Sequence, residues 1–349
     1  MSAVRVVAPV RVLDAGGWTD TWFAGHGRVC NAAVSPGIEV RAENLGGPPG
    51  RALVQLSSFG ESYTFAFAEP PGRHPLIETA LVGYGRSVRV EISSAVPPGS
   101  GLGTSASVCV ALLSALALLD DRPFEPTDLA AAAHRLEADA LGAESGVQDQ
   151  LAAAHGGVSV ISIDAYPHAT RTEVLLAPPT RAELGRRLIT VYLGAPHASS
   201  AVHADVIARL RPDPGAGPRP DPHQPHHEVL DALRAAAADA ATALAAGDLE
   251  GYGRALLANT KAQAALHPAL INEAARRVFA LAKAAGALGW KVNGAGGAGG
   301  SASIVGPDDP HARADLTDAL TRLPGVRLLD LSLDAAGCRP APDSPTARS

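Results

Sequence analysis

Sulfur, aromatic rings and charge are all sparse in this chain. Among 349 residues there are three cysteines and one methionine, aromatic residues make up 4% and charged residues 18%. Cys30, Cys109 and Cys338 are far apart, without the paired spacing of a disulfide framework or a thiolate zinc site, which fits a reducing compartment. Formal net charge is -6, and no Lys/Arg run or basic stripe interleaved with aromatics occurs, so the electrostatic footprint of a nucleic-acid partner is missing. No apolar run approaches the roughly 20 residues that span a bilayer. The N-terminus enters an alternating apolar stretch, Val4 to Leu13, without the basic start and cleavage site of a secretory signal. The expectation is a cytoplasmic protein with no membrane and no nucleic-acid partner, homo-oligomerisation being left open.

Alanine, glycine and proline are abundant instead, so packing must rely on Leu, Val, Ile and Ala, and the length suits two domains. Strand-like runs fill the first hundred residues: Val4 to Leu13, Gly37 to Ala42, Ala52 to Leu56, Tyr63 to Phe67 and Ser87 to Ser93. After Gly99 to Gly103 the pattern changes to a small, apolar helix, Ala106 to Leu119. A second helix follows, with Thr127 as its N-cap, Asp128 in its first turn and Gly142 at its end. Arg211 to His227 is a proline- and histidine-rich loop. Helices are expected at Glu228 to Ala246, Leu249 to Leu257 and Asn272 to Ala285, then a second glycine cluster with the strand-like SASIV. The pattern is α+β, with one domain over residues 1–180, a second over 181–340 and a disordered tail over 341–349.

Four constellations can carry chemistry. In PPGSGLGTSAS, glycines 99, 101 and 103 allow tight turning and close approach to a ligand, and the next helix offers free N–H groups, which together make an anion cradle. Thr104, Ser105 and Ser107 add hydroxyls. No Lys follows the last glycine, so this is no Walker loop, and a plain Gly-rich turn with serine caps is the alternative. In KVNGAGGAGGSASIV, Gly294, Gly296 and Gly299 match the dinucleotide fingerprint formally, but a strand rather than a helix follows, so the Rossmann reading fails. Close packing against another loop or a ligand, or a tight bend, remains.

In PVRVLDAGGWTDT, Gly16 and Gly17 end the first strand, so that Thr19 and Asp20 project from it beside Arg11 and Asp14. Such groups suit sugar hydroxyls, and an Asx-type turn is the plainer alternative. Glu137 and Asp149 supply the carboxylates that a kinase needs, one for a cation and one for the attacking hydroxyl, whereas a solvated pair is the default for any two acids. His223, His226 and His227 lie in the proline loop, where geometry for a metal is lacking. His197 and His203 flank Ser199 and Ser200 without a nucleophile elbow, which disfavours a hydrolase.

Taken in order, PVRVLDAGGWTDT, PPGSGLGTSAS, SGVQDQ and KVNGAGGAGGS resemble the motifs of the superfamily of galactokinase, homoserine kinase, mevalonate kinase and phosphomevalonate kinase, the GHMP kinases. The resemblance spans about residues 5–305, and AGGWTDT with GVQDQLAAAHGG looks most like the branch with fucokinase and D-glycero-D-manno-heptose 7-phosphate kinase. It implies an N-terminal domain like ribosomal protein S5 domain 2 and a ferredoxin-like C-terminal domain, with ATP and Mg2+ between them. By motif, Pro98, Gly99, Ser100, Gly101, Leu102, Gly103, Thr104 and Ser105 would wrap the ATP phosphates, and Ser105 with Glu137 would hold Mg2+. Asp149 would be the catalytic carboxylate with Arg11 beside it. Gly17, Thr19, Asp20, Gly294, Gly296 and Gly297 would contact the sugar or sugar phosphate or support the phosphate loop. The implied reaction is transfer of the γ-phosphoryl group to a sugar hydroxyl, the anomeric one in that branch. A non-sugar alcohol as acceptor and a non-catalytic binding homologue are the alternatives. Ala298 interrupts the expected glycine run, and Thr104 stands where Ser is more common.

Overall fold

The computed structural model describes residues 3–140, 142, 145–194, 200–210 and 225–341. The chain folds as two sheets with helices packed on them, which is the expected α+β class. Nine strands form the larger sheet. β1 (Ala3–Ala15) and β2 (Gly27–Asn44) are its long central pair, and β3 (Arg51–Leu56), β4 (Glu61–Ala66) and β5 (Val88–Ser94) extend it in the order β1-β2-β5-β3-β4. Alternation predicted β1 well but cut β2 short, because Pro36 and Gly37 read as a break; here the strand runs through them.

Helix α1 (Pro75–Tyr84) was not foreseen, whereas α2 (Thr104–Leu118) lies where the unbroken apolar run predicted it. Its largely apolar surface packs between the sheet and α3 (Pro126–Arg135), burying Cys109, Val110, Leu112 and Leu116 among others. Glu125, not Thr127, caps α3, since Pro126 takes the first helical position; a π turn, Leu136–Ala140, continues it. α4 (Gln148–His155) then leads into the hairpin of β6 (Val158–Ala165) and β7 (His168–Glu173), β6 pairing with the first half of β2.

After α5 (Pro178–Arg187) the second sheet begins with β8 (Leu188–Tyr192). α6 (Ser200–Leu210), α7 (Pro225–Ala246), α8 (Leu249–Leu266) and α9 (Glu273–Ala284) precede the hairpin of β9 (Gly289–Val292) and β10 (Ser301–Val305), and α10 (Pro310–Thr321) leads to β11 (Arg327–Leu329). The order β11-β8-β10-β9, all antiparallel, with α9 and α10 on the sheet, is the split β-α-β of a ferredoxin-like unit. α8 runs nine residues past its expected end at Leu257, to Leu266. Its buried residues include Asn259, Ala262 and Gln263, so polar residues that weaken the periodic signal face the core.

One apolar core joins the two halves: Val10, Leu13 and Ala32 of the large sheet meet Ala237, Ala240, Tyr252 and Leu256 of α7 and α8. The chain also returns. β12 (Ser332–Leu333) pairs with β2, and β13 (Arg339–Pro340) pairs with β1. The expected proline-rich loop lies outside the described residues as far as 224, and its last three residues begin α7; the expected tail lies outside them from residue 342. Among the described residues no helix is long and apolar enough to cross a membrane.

Candidate active site

The loop before α2 is built by backbone conformation. Gly99, Gly101 and Gly103 have φ of 70°, 73° and 73°, values that a residue with a Cβ adopts only under strain, and Gly103 is the helix N-cap. At Gly101 an added Cβ would stand 2.8 Å from Asn293 O, and at Gly294 2.7 Å from Gly101 O. The two glycine clusters therefore pack backbone to backbone. Leu102 and Ser100 are buried and anchor the loop, while Ser105 is exposed at the helix start. Ser107 points the other way and donates to Pro9 O at 2.7 Å, so its hydroxyl fixes α2 on β1.

Ser105 Oγ donates to Glu137 Oε1 at 2.7 Å. Glu137, on the π turn, also accepts from Ser145 at 3.4 Å and from Gln150 Nε2. All three donors are neutral. Burial raises the Glu137 pKa, and these hydrogen bonds offset it only in part.

Asp149 stands in the first turn of α4, and Arg11 meets it side on: Nε donates to Oδ1 at 2.8 Å and Nη2 to Oδ2 at 3.2 Å. Arg11 Nη1 donates to Gly101 O, which ties this pair to the glycine loop. Burial opposes the Arg11 charge, but Asp149, Asp14 and Asp20 outweigh it and raise the pKa. Asp20 is buried and accepts from Gln148 N at 3.2 Å and Gln148 Nε2 at 3.3 Å. Burial and the nearby Asp149 push its carboxyl up to about 6.

Behind Arg11, a bulge in β1 with Leu13 at φ 56° turns Asp14 inward. Asp14 accepts from Lys291 Nζ at 2.6 Å and from Gly294 N at 3.1 Å. Asn293 receives Leu13 N at 3.0 Å, and Asn259 receives Gly16 N at 2.7 Å, so C-terminal side chains fix both sides of the bulge. Trp18, at φ 79°, holds a strained left-handed backbone under packing from α6, α7 and α8.

Arg11, Asp14, Asp20, Ser105, Glu137 and Asp149 line one cleft of about 420 Å³, together with Thr21, Gly146 and Gln148. A second, largely apolar cleft of about 360 Å³ opens on the far side of the loop, walled by Phe59, His74, Leu76, Ile77, Ile92 and Val108. Pro98, Gly99, Thr104 and Ser105 form its floor, so Ser105 lines both clefts.

Arg11, Asp20, Ser105, Glu137, Asp149 and Gly294 thus come together. Thr19 does not join them: it is fully buried, its hydroxyl donates to Gly16 O at 2.7 Å and receives Arg28 N at 3.1 Å, and it holds the turn instead of a ligand. Gly17 packs against Asp14 and Gln148. Gly296 abuts Leu270, and Gly297 donates to Leu270 O at 3.1 Å, so both brace the loop from behind while Gly294 and Ala295 reach the cleft. His197, Ser199 and His223 lie outside the described residues, as do the side chains of Ser200, His203, His226 and His227. Sequence reasoning did not assign Lys291, Asn293, Gln148 or the walls of the apolar cleft. Lys291 next to the second glycine cluster was the one available signal.

Residues 75–157 match the model for the GHMP kinases N terminal domain. D-glycero-alpha-D-manno-heptose 7-phosphate kinase of Campylobacter jejuni is 23% identical over 97% of this chain and 99% of its own length. Mevalonate kinase of Methanothermobacter thermautotrophicus is 30% identical over 68% of this chain and 67% of its own. In fold, a D-glycero-D-manno-heptose 1-phosphate kinase from Bacteroides thetaiotaomicron superimposes with a TM-score of 0.72 at 20% identity, covering 98% of this chain and 99% of that one. A phosphotransferase that uses ATP is the class of protein so defined. The chain belongs to the GHMP kinase family.

Proposed function

We propose that this kinase transfers the γ-phosphoryl group of Mg-ATP to a hydroxyl of a sugar or sugar phosphate, the anomeric hydroxyl in the first instance. The observation that carries this reading is the Arg11–Asp149 fork, at 2.8 and 3.2 Å, between a glycine loop and a polar cleft. Because Ser105 lines both clefts, a nucleotide with its base in the apolar cleft would lay its phosphates over Gly99 to Ser105 and point the last one at Asp149. The acceptor would then occupy the side lined by Asp20, Gly146 and Gln148.

Glu137, buried and hydrogen-bonded only to neutral donors among the described residues, with a hydroxyl at 2.7 Å, is an oxygen pair short of a positive charge, which suits Mg2+. Ser105 and Glu137 would hold the ion, which neutralises the phosphates when bound. Asp149 accepts the proton of the acceptor hydroxyl as its oxygen bonds to the γ-phosphorus and the bond to ADP breaks. Arg11 keeps that carboxylate aligned and faces the developing charge. The same reading divides the work between residues 1–180, which supply loop and carboxylates, and 181–340, which supply Lys291 and the second glycine cluster. A cytoplasmic setting belongs to it.

Likeness to a mevalonate kinase favours a second reading, a non-sugar alcohol as acceptor. With Asp14 paired to Lys291, Asp20, Glu137 and Asp149 line the cleft against Arg11 among its described residues, a field that disfavours an acceptor carrying its own carboxylate near the reacting hydroxyl. Heptose 7-phosphate kinase relatives and the hydroxyl-matching side chains favour a sugar. ADP release measured with a panel of free sugars, sugar phosphates and isoprenoid alcohols tests the reading: turnover confined to sugars supports it, and turnover confined to the other alcohols replaces it.

A further inference from the structure

Lys291 and Asp14 form a buried ion pair, Nζ to Oδ1 at 2.6 Å, with side chains 1% and 0% exposed. They are 277 residues apart and come from different sheets. Stability does not account for such a pair, because two apolar residues of similar volume would serve as well or better once desolvation is counted. Its neighbour does. Arg11 stands between two carboxylates, forked onto Asp149 at 2.8 and 3.2 Å and with Nη2 4.0 Å from Asp14 Oδ2. A guanidinium forks one carboxylate at a time, and a bare buried Asp14 would compete for it.

We propose that Lys291 is a positioning residue: by engaging Asp14 it leaves Arg11 to Asp149, and thereby keeps the reacting carboxylate aligned at the acceptor. The proposal rests on the function assigned above only for what Asp149 does; the competition between the two carboxylates is independent of it. Lys291 is itself fixed, since Nζ also donates to Val292 O at 2.5 Å. Asp14 is held as well, since Gly294 N lies 3.1 and 3.3 Å from its two oxygens. Burial and Arg11 lower the Lys291 pKa, and Asp14 sustains its charge, so each member of the pair depends on the other.

The test is a rescue. Lys291→Met should lower turnover by about tenfold to a hundredfold with little change in the KM for ATP, and its crystal structure should show Arg11 forked onto Asp14. Adding Asp14→Asn removes the competing charge, so the double variant should regain most of the turnover and the Arg11–Asp149 fork. Should Lys291→Met not accumulate as folded protein, Lys291→Gln, which keeps a donor but no charge, takes its place. Unchanged turnover and an intact fork in the single variant would overturn the proposal, as would a double variant that recovers neither. If the parent turned over no sugar, the assigned function would be at fault, and the two crystal structures would still decide the role of Lys291.

Discussion

Ser105 and Glu137 close on each other across 2.7 Å, one from the first turn of α2 and the other from the π turn after α3. A helix widened into a π turn is a common way to aim a side chain at a functional site. Here it brings a carboxylate to the end of the glycine loop.

Glu137→Gln keeps the size of the side chain and, with the Gln150 amide turned to present its oxygen, a bond to each neighbour, but removes a hard anionic oxygen. The Mg2+ concentration for half-maximal turnover should rise by about tenfold, with thermal stability changed little. An unaltered Mg2+ titration would make Glu137 a buried structural acid.

Asp149→Asn should lower turnover by about 10²- to 10⁴-fold while ATP affinity, measured by calorimetry, stays near the parental value. Arg11→Ala should also be slow, and the double variant should lose less than the product of the two effects, since the side chains act as one unit. Near-parental turnover of folded Asp149→Asn would reopen a binding role for the chain.

Asp20 links the cleft to pH. Its folded pKa of about 6 lies above the ordinary value of 3.8, so the folded state binds the proton more tightly than the unfolded chain. Its contribution to stability is therefore complete below 3.8 and is lost as pH rises through about 6. Melting temperatures of the parent and Asp20→Asn, compared between pH 4 and 7, should show that slope only in the parent. If the ionised carboxylate accepts hydrogen bonds from acceptor hydroxyls, the KM for the acceptor should rise below about pH 6; a flat profile would remove Asp20 from acceptor recognition.

Val108 lines the apolar cleft and not the polar one. Val108→Trp should fill the place of the base and raise the KM for ATP by about tenfold or more, with the KM for the acceptor held. A rise in the acceptor KM alone would exchange the roles of the two clefts.

Local sequence went furthest where the backbone itself makes the feature. Gly99, Gly101 and Gly103 announced a tight loop, and the apolar run after them announced α2. Motif order alone singles out Arg11 and Asp149, since 138 residues separate them and no spacing rule joins them. Thr19 misled, because a hydroxyl beside an acid suits a ligand and a turn equally well, and only its bonds to Gly16 and Arg28 show which one it serves. The Asp14–Lys291 pair had no local signature. Gly101 suggests room for a ligand, whereas the room is taken by Asn293; Gly101→Val should therefore cost stability as well as nucleotide affinity.

β13 lies on the outer edge of β1, and Asp334, just after β12, accepts from Ser35 and Arg339 while its carbonyl receives Gly157 N at 2.7 Å. The strand that carries Arg11 lies far ahead in sequence of the segments that complete its sheet. Residues 339 and 340 give β1 its second partner strand, opposite Val6 and Val7, while Lys291 and Gly294 hold Asp14 beside Arg11, so the surroundings of the arginine depend on contacts of long sequence separation, which form slowly. A chain halted before residue 291 should thus hold Arg11 and Asp149 without the contacts that align them.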